Sequence, residues 1–305
     1  MVNDPRWPDL VKKEVTPETR VVLLGFPVDT GVARNAGRIG AAHAPRRIRQ
    51  QLGRFTPDAR APQAHANLLA SVADLGDVSP AGLLEADQEQ LGALVAEHLR
   101  ENRIVIVLGG GHETTFGHFL GYTEAGKPVH LRNIDAHADV RPLKNGTGHS
   151  GSPFRQALEH ASGKALSYAV AGLEPHAVAA EHADFVRNHG FLHWRSEFDT
   201  LDSQNRIAFF DRFYKTSAAA LASFDIDAVN AGSAPGVSAV NPAGLTVATW
   251  LEAAFSAGKS GSVTSMDVVE MNPLYDIDQR TARLAALTVW TFTAGLAQRA
   301  SPSAN

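Results

Sequence analysis

The run Ile104–Leu108, IVIVL, carries no polar side chain on either of its alternating faces. A strand of that kind must be covered from both sides, which is the condition of a parallel sheet sandwiched between helices. Val21–Gly25 (VVLLG) reads as another buried strand, and Val129–Ile134 as the one that ends at Asp135. Further strands are expected near Ala165–Ala171, Ala218–Phe224 and Ser262–Met266. Helical stretches fall between them. Over Leu84–Asn102, Leu91, Leu94, Val95 and Leu99 recur at the spacing of one helical face. Helices are also expected from about His112 to Leu120, over Thr246–Ala257 and over Gln279–Gln298. The alternation predicts an α/β fold of three layers, α/β/α, with a central, mostly parallel β-sheet. No linker interrupts it, so residues 1–305 are read as one domain. Residues 1–18 form a polar, Pro-containing arm, and 300–305 a flexible tail. In such sheets functional groups gather beyond the carboxyl ends of the strands.

Composition removes several classes of function. The chain has no cysteine, which excludes disulfides, thiolate nucleophiles and Cys-based zinc sites. A formal charge of −4 gives no footprint for nucleic acid or for an anionic membrane surface. The opening residues lack a basic region followed by an apolar stretch, and no apolar run nears the roughly 18 to 20 residues that span a bilayer. A cytoplasmic location is expected.

The chemistry concentrates in three short segments. In Asn133-Ile134-Asp135-Ala136-His137-Ala138-Asp139, the ligand-type residues stand at i, i+2 and i+4, one side of an extended segment, with alanines between them. In Ser223-Phe224-Asp225-Ile226-Asp227, two carboxylates again stand at i and i+2 after an apolar stretch. His112 follows a strand and three glycines, where the backbone can turn tightly. Carboxylates gathered at strand ends need a compensating positive centre. Four carboxylates and two imidazoles are too many for one ion and suit two, bridged by shared carboxylates. An oxygen-rich donor set without sulfur favours manganese or magnesium.

Together the motifs resemble the ureohydrolase family of arginase, agmatinase and formimidoylglutamase, from about Val21 to Ala297. The segments Gly31–Ala41, His149–Gln156, Ala234–Ser238 and Glu270–Pro273 look most like its formimidoylglutamase branch. Arginases and agmatinases usually carry aspartate where this chain has Gly111. The resemblance implies an arginase-like fold and two Mn2+ per subunit. One would be held by His112, Asp135, Asp139 and Asp225, the other by Asp135, His137, Asp225 and Asp227. It implies hydrolysis of N-formimidoyl-L-glutamate to L-glutamate and formamide by a metal-bridging hydroxide, a step of histidine degradation. Asp139 would relay a proton, His149 would shuttle one, and Glu270 would pair with the cationic amidine.

The glutamyl carboxylates call for cations, and Arg34, Arg38 and Arg141 are the candidates, with Asn145 in the nearby turn. A small-molecule amidine is the expected partner, with no nucleic acid and no membrane, and the family resemblance implies a homo-oligomer. The alternatives are the same chemistry on arginine, agmatine or another guanidino compound, or a catalytically inactive family member that serves as a structural subunit.

Overall fold

The computed structural model describes residues 4–299; the polar tail expected over 300–305 lies outside them. Eight strands form one sheet, and every pairing in it is parallel. They are β1 (Val21–Gly25), β2 (Val72–Asp77), β3 (Ile104–Leu108), β4 (Val129–Ile134), β5 (Ala165–Leu173), β6 (Gly190–Trp194), β7 (Ala219–Asp225) and β8 (Val263–Val269). Their spatial order is β2-β1-β3-β8-β7-β4-β5-β6.

The alternation expected of IVIVL is visible in its packing. Val105 and Val107 face one apolar cluster, with Leu91, Val95 and Phe119. Ile106 and Leu108 face the other, with Trp250, Val289 and Phe292. Helix Leu84–Arg100 covers the first face and helices Val247–Lys259 and Arg280–Leu296 cover the second. Thr246 starts one of these by accepting the backbone N–H of Thr249 on its side chain, the usual N-cap geometry.

Sequence reading missed β2 and β6, the two edge strands. An edge strand has a neighbour on one side only, so it need not be apolar throughout. Here β2 ends in the half-buried and exposed run Leu75-Gly76-Asp77, and Phe191 of β6 is 65% exposed. The arm also differs from expectation. Trp7 and Val11 are buried in the core, and the Trp7 backbone N–H donates to Phe55 O. Among the described residues no helix is long and apolar enough to cross a membrane.

The central strands β3, β8, β7 and β4 are neighbours, and their carboxyl ends lead to His112, Glu270, Asp225 and Asp135. Four segments distant in sequence therefore open on one rim.

Candidate metal centre

Asp135 and Asp225 each begin a tight turn in the same way. Asp135 Oδ1 accepts the backbone N–H of His137 at 2.7 Å, and Asp225 Oδ1 accepts that of Asp227 at 2.9 Å. Such aspartate turns fold residue i+2 back over residue i, so each motif presents its side chains to one spot. The D-A-H-A-D segment is not a continuation of the strand: β4 stops at Ile134, and Asp139 reaches the site with φ +45°. Ala136 and Ala138 are buried beneath it, as their size allows. Glu270 also has positive φ, +64°. Two non-glycine residues held in the left-handed region at one rim are backbone strain concentrated at a site.

The six side chains expected to hold metal converge. Ligand atoms of His112, Asp135, Asp139 and Asp225 lie within 4.8 Å of one another, as do those of Asp135, His137 and Asp227. Asp135 belongs to both groups. Asp225, expected in both, stands with the first group, and its Oδ1 accepts the Asp227 N–H as Asp135 Oδ1 accepts that of His137. His112 Nδ1 stands 2.8 Å from Asp139, 3.0 Å from Asp225 and 3.4 Å from Asp135. His137 Nδ1 stands 3.3 Å from Asp227 and 3.4 Å from Asp135.

The electrostatics are those of a site short of positive charge. Burial and the nearby Asp227 and Asp135 push the Asp225 carboxyl well above its ordinary range. Burial pushes Asp227 up to about 6, partly opposed by His137. Burial, Asp225 and Glu113 push Glu270 well up. Asp135 goes the other way, because the imidazoles of His112 and His137 beside it outweigh its burial. The Asp227 charge raises His137, and the carboxylates around His112 outweigh the burial that would lower it. The imidazoles would have to carry protons merely to tolerate the carboxylates. Cations remove that need, and the donors fit them. Two buried atoms, His112 Nδ1 and Asp227 Oδ1, have no hydrogen-bond partner among the described residues. The donor set is oxygen-rich with two imidazole nitrogens, which suits hard divalent ions of the manganese kind.

A cavity of about 240 Å³ adjoins this cluster, lined by His137, Asp139, Asp225, Asp227 and Glu270 together with Asn35, Arg141 and Ser150. Glu270 is buried and lines the cavity, and its Oε1 accepts the His112 backbone N–H at 2.9 Å. Arg141 is exposed and donates to Asn35 Oδ1 at 3.2 Å. Lys144 Nζ reaches the same oxygen at 3.2 Å, and Asn35 Nδ2 donates to Ser150 Oγ at 3.1 Å.

The other expected residues lie off the cavity lining. Arg34 pairs with Glu85 at 2.5 Å and donates to Gly148 O at 3.0 Å. Arg38 donates to Ser238 O at 3.0 Å and Val237 O at 2.6 Å, and lies 4.4 Å from the Tyr275 ring centroid. Asn145 is exposed in the turn between Lys144 and Thr147 with φ +51°. His149 is buried with both ring nitrogens on backbone: Nε2 donates to Pro142 O at 3.1 Å, and Nδ1 accepts from Gly151 N at 3.1 Å.

Sequence reading passed over Asn35, Ser150 and Glu113. The Glu113 carboxylate is buried against two glycines and accepts the Gly31 N–H at 2.6 Å. A Cβ on Gly111 would stand 2.1 Å from Glu113 Oε2, and one on Gly31 would stand 2.5 Å from Glu113 Cδ. Burial raises Glu113 to about 7. A signal was available, since a glutamate directly after His112 at the end of an apolar strand had no role in the metal count.

Residues 19–295 match the model of the arginase family. A formimidoylglutamase of Rhodococcus opacus is 37% identical over 276 residues, 87% of this chain and 82% of that one. A formimidoylglutamase of Streptococcus pyogenes is 33% identical over 300 residues, 95% of this chain and 89% of that one. The crystal structure of Trypanosoma cruzi formiminoglutamase with two Mn2+ superposes with a TM-score of 0.89 at 32% identity, covering 98% of this chain and 100% of the other.

Proposed function

We propose, from the premise that the chain belongs to the arginase family, that it hydrolyses N-formimidoyl-L-glutamate to L-glutamate and formamide, as a manganese-dependent enzyme of histidine degradation. His112, Asp135, Asp139 and Asp225 would hold one Mn2+, and Asp135, His137, Asp227 and the shared Asp225 the other. Two such ions supply Lewis acidity that acidifies water near neutral pH and offsets the charge of the carboxylates.

The substrate assignment is carried by the polarity of the cavity, with a buried carboxylate, Glu270, at its floor and an exposed guanidinium, Arg141, toward its mouth. A formimino group is planar and cationic and donates two hydrogen bonds, which suits Glu270. The glutamyl carboxylates at the other end suit Arg141, with Lys144 close behind it. Both clamps are held by neighbouring groups, Glu270 by the His112 N–H and Arg141 by Asn35. Holding both ends presents the formimino carbon to water at the metal rim. Water oxygen bonds to that carbon, the bond from carbon to the glutamyl nitrogen breaks, and Asp139 passes the water's proton to the departing amine. The working unit is expected to be a homo-oligomer in the cytoplasm, with a small amidine as its ligand.

The test is a parallel assay of the manganese-loaded protein on formimidoylglutamate, arginine, agmatine and guanidinobutyrate. Glutamate and formamide from the first substrate alone are expected. Urea from a guanidino compound, with formimidoylglutamate untouched, would overturn the substrate assignment and leave the metal centre standing.

A further inference from the structure

On the side away from the cavity, His112 Nε2 lies 3.0 Å from Ser223 Oγ. Ser223 Oγ in turn donates to Asp267 Oδ1 at 2.6 Å. Asp267 also accepts from Thr115 Oγ1 at 3.2 Å on each oxygen, and its Oδ2 is 2.8 Å from His118 Nδ1. These five side chains are at most 2% exposed. The sheet itself builds the link, because Ser223 of β7 and Asp267 of β8 are register partners.

Counting protons gives the relay a direction. A serine hydroxyl has one proton to donate. Given to the Asp267 carboxylate, it leaves Ser223 Oγ only the role of acceptor toward His112, so the hydrogen of that imidazole sits on Nε2. The lone pair is then on Nδ1, the atom that faces Asp135, Asp139 and Asp225 without a hydrogen bond. Thr115 and His118 fill the remaining acceptor sites of Asp267 and hold its carboxylate in place.

We propose that Asp267 is a positioning residue which, acting through Ser223, fixes His112 in the tautomer that leaves Nδ1 free to bind a cation. The inference rests on the metal-centre reading. It assigns Asp267 no contact with substrate or with either ion. A partner that orients a ligating histidine is commonly worth about 10- to 100-fold in metal affinity.

The test is calorimetric titration of Mn2+ into the metal-free full chain and into Ser223→Ala, Ser223→Thr and Asp267→Asn. Asparagine brings an N–H donor to a position where Ser223 needs an acceptor. Two Mn2+ per chain are expected for the unmodified protein. In Ser223→Ala and Asp267→Asn one of the two should weaken by about 10- to 100-fold while the other is kept, and Ser223→Thr, which retains the hydroxyl, should restore it. Thermal melting of the metal-free variants reads any loss of stability separately, and a loss confined to one ion and rescued by Ser223→Thr is what a purely structural role for Asp267 would not give. Equal weakening of both ions, or unchanged affinity in both variants, overturns the proposal. Should Asp267→Asn fail to fold, Ser223→Ala decides the matter alone, since it deletes one hydroxyl. No Mn2+ bound by the unmodified chain would instead refute the metal centre.

Discussion

His65 and His112 are two buried histidines built with the same local device and put to opposite ends. Each meets a hydroxyl that is committed elsewhere. His65 Nε2 lies 3.0 Å from Thr293 Oγ1, which donates to Trp290 O at 2.8 Å; His112 Nε2 lies 3.0 Å from Ser223 Oγ, which donates to Asp267 at 2.6 Å. The difference lies at the second nitrogen. His65 Nδ1 accepts the Asp58 backbone N–H at 3.0 Å, whereas His112 Nδ1 meets three carboxylates and no donor. Burial accordingly pushes His65 down to about 4 and keeps it neutral, while at His112 the carboxylates outweigh burial and push it up. Trp250 repeats the closed arrangement, its Nε1 donating to Thr288, which donates to Leu284 O. At His65 and Trp250 the polar network closes on itself, whereas at His112 it is left open at Nδ1, toward the carboxylates.

The contrast breaks most decisively at Asp227, on the open side. Asp227→Ala is expected to lose one of two bound Mn2+ and at least about a thousandfold in kcat/KM, roughly 4 kcal/mol of transition-state stabilisation. Metal analysis with steady-state kinetics checks this, and retention of both ions at full activity would erase the distinction.

On the closed side, His65 should make stability depend on pH. Its folded pKa of about 4 is below its ordinary 6.5, so the folded state binds fewer protons in between. The contribution is therefore complete above pH 6.5 and drains away as the pH falls toward 4, by roughly 3 kcal/mol at about 1.4 kcal/mol per pH unit. Urea unfolding of the metal-free chain at pH 7.5 and 4.5 should show a steeper loss than His65→Gln, because the acidic cluster titrates alike in both. Parallel slopes would mean that His65 is not closed off.

Arg141→Ala tests the mouth of the open site. About 10- to 100-fold should be lost from kcat/KM on formimidoylglutamate, mostly through KM, from one charge-assisted contact. An unaltered KM would remove Arg141 from substrate binding. The smallest effect is expected at His149, which sides with His65 because backbone occupies both its nitrogens. His149→Ala should cost less than about tenfold in kcat, and a thousandfold loss would show that the ring swings to the substrate.

What could be read in advance follows from the same contrast. The central strands were legible because burial on both faces leaves only apolar residues, as in IVIVL. The edge strands β2 and β6 were not, since a half-covered strand admits residues such as Gly76, Asp77 and His193. The six donors stood out because carboxylates ending apolar runs demand an explanation. Their route to the site did not, for the left-handed turn at Asp139 leaves no mark in D-A-H-A-D. Among the arginines, only its place two residues beyond Asp139 set Arg141 apart from Arg34 and Arg38, which says nothing of what holds the other two. That depends on whether Glu85 and the Val237–Ser238 carbonyls are within reach, which is a matter of tertiary structure.

The fit of Glu113 between Gly31 and Gly111 also constrains how this rim can diverge. A side chain at 111 would stand 2.1 Å from Glu113 Oε2 and 2.4 Å from Val32 Cγ2, so the aspartate usual in the arginase and agmatinase branches requires both neighbours to shift. Displacing the Glu113 carboxylate would free the Gly31 amide it now holds and with it the segment leading to Asn35. Exchanges at 111 and 113 are therefore coupled, and their effects are expected to be non-additive.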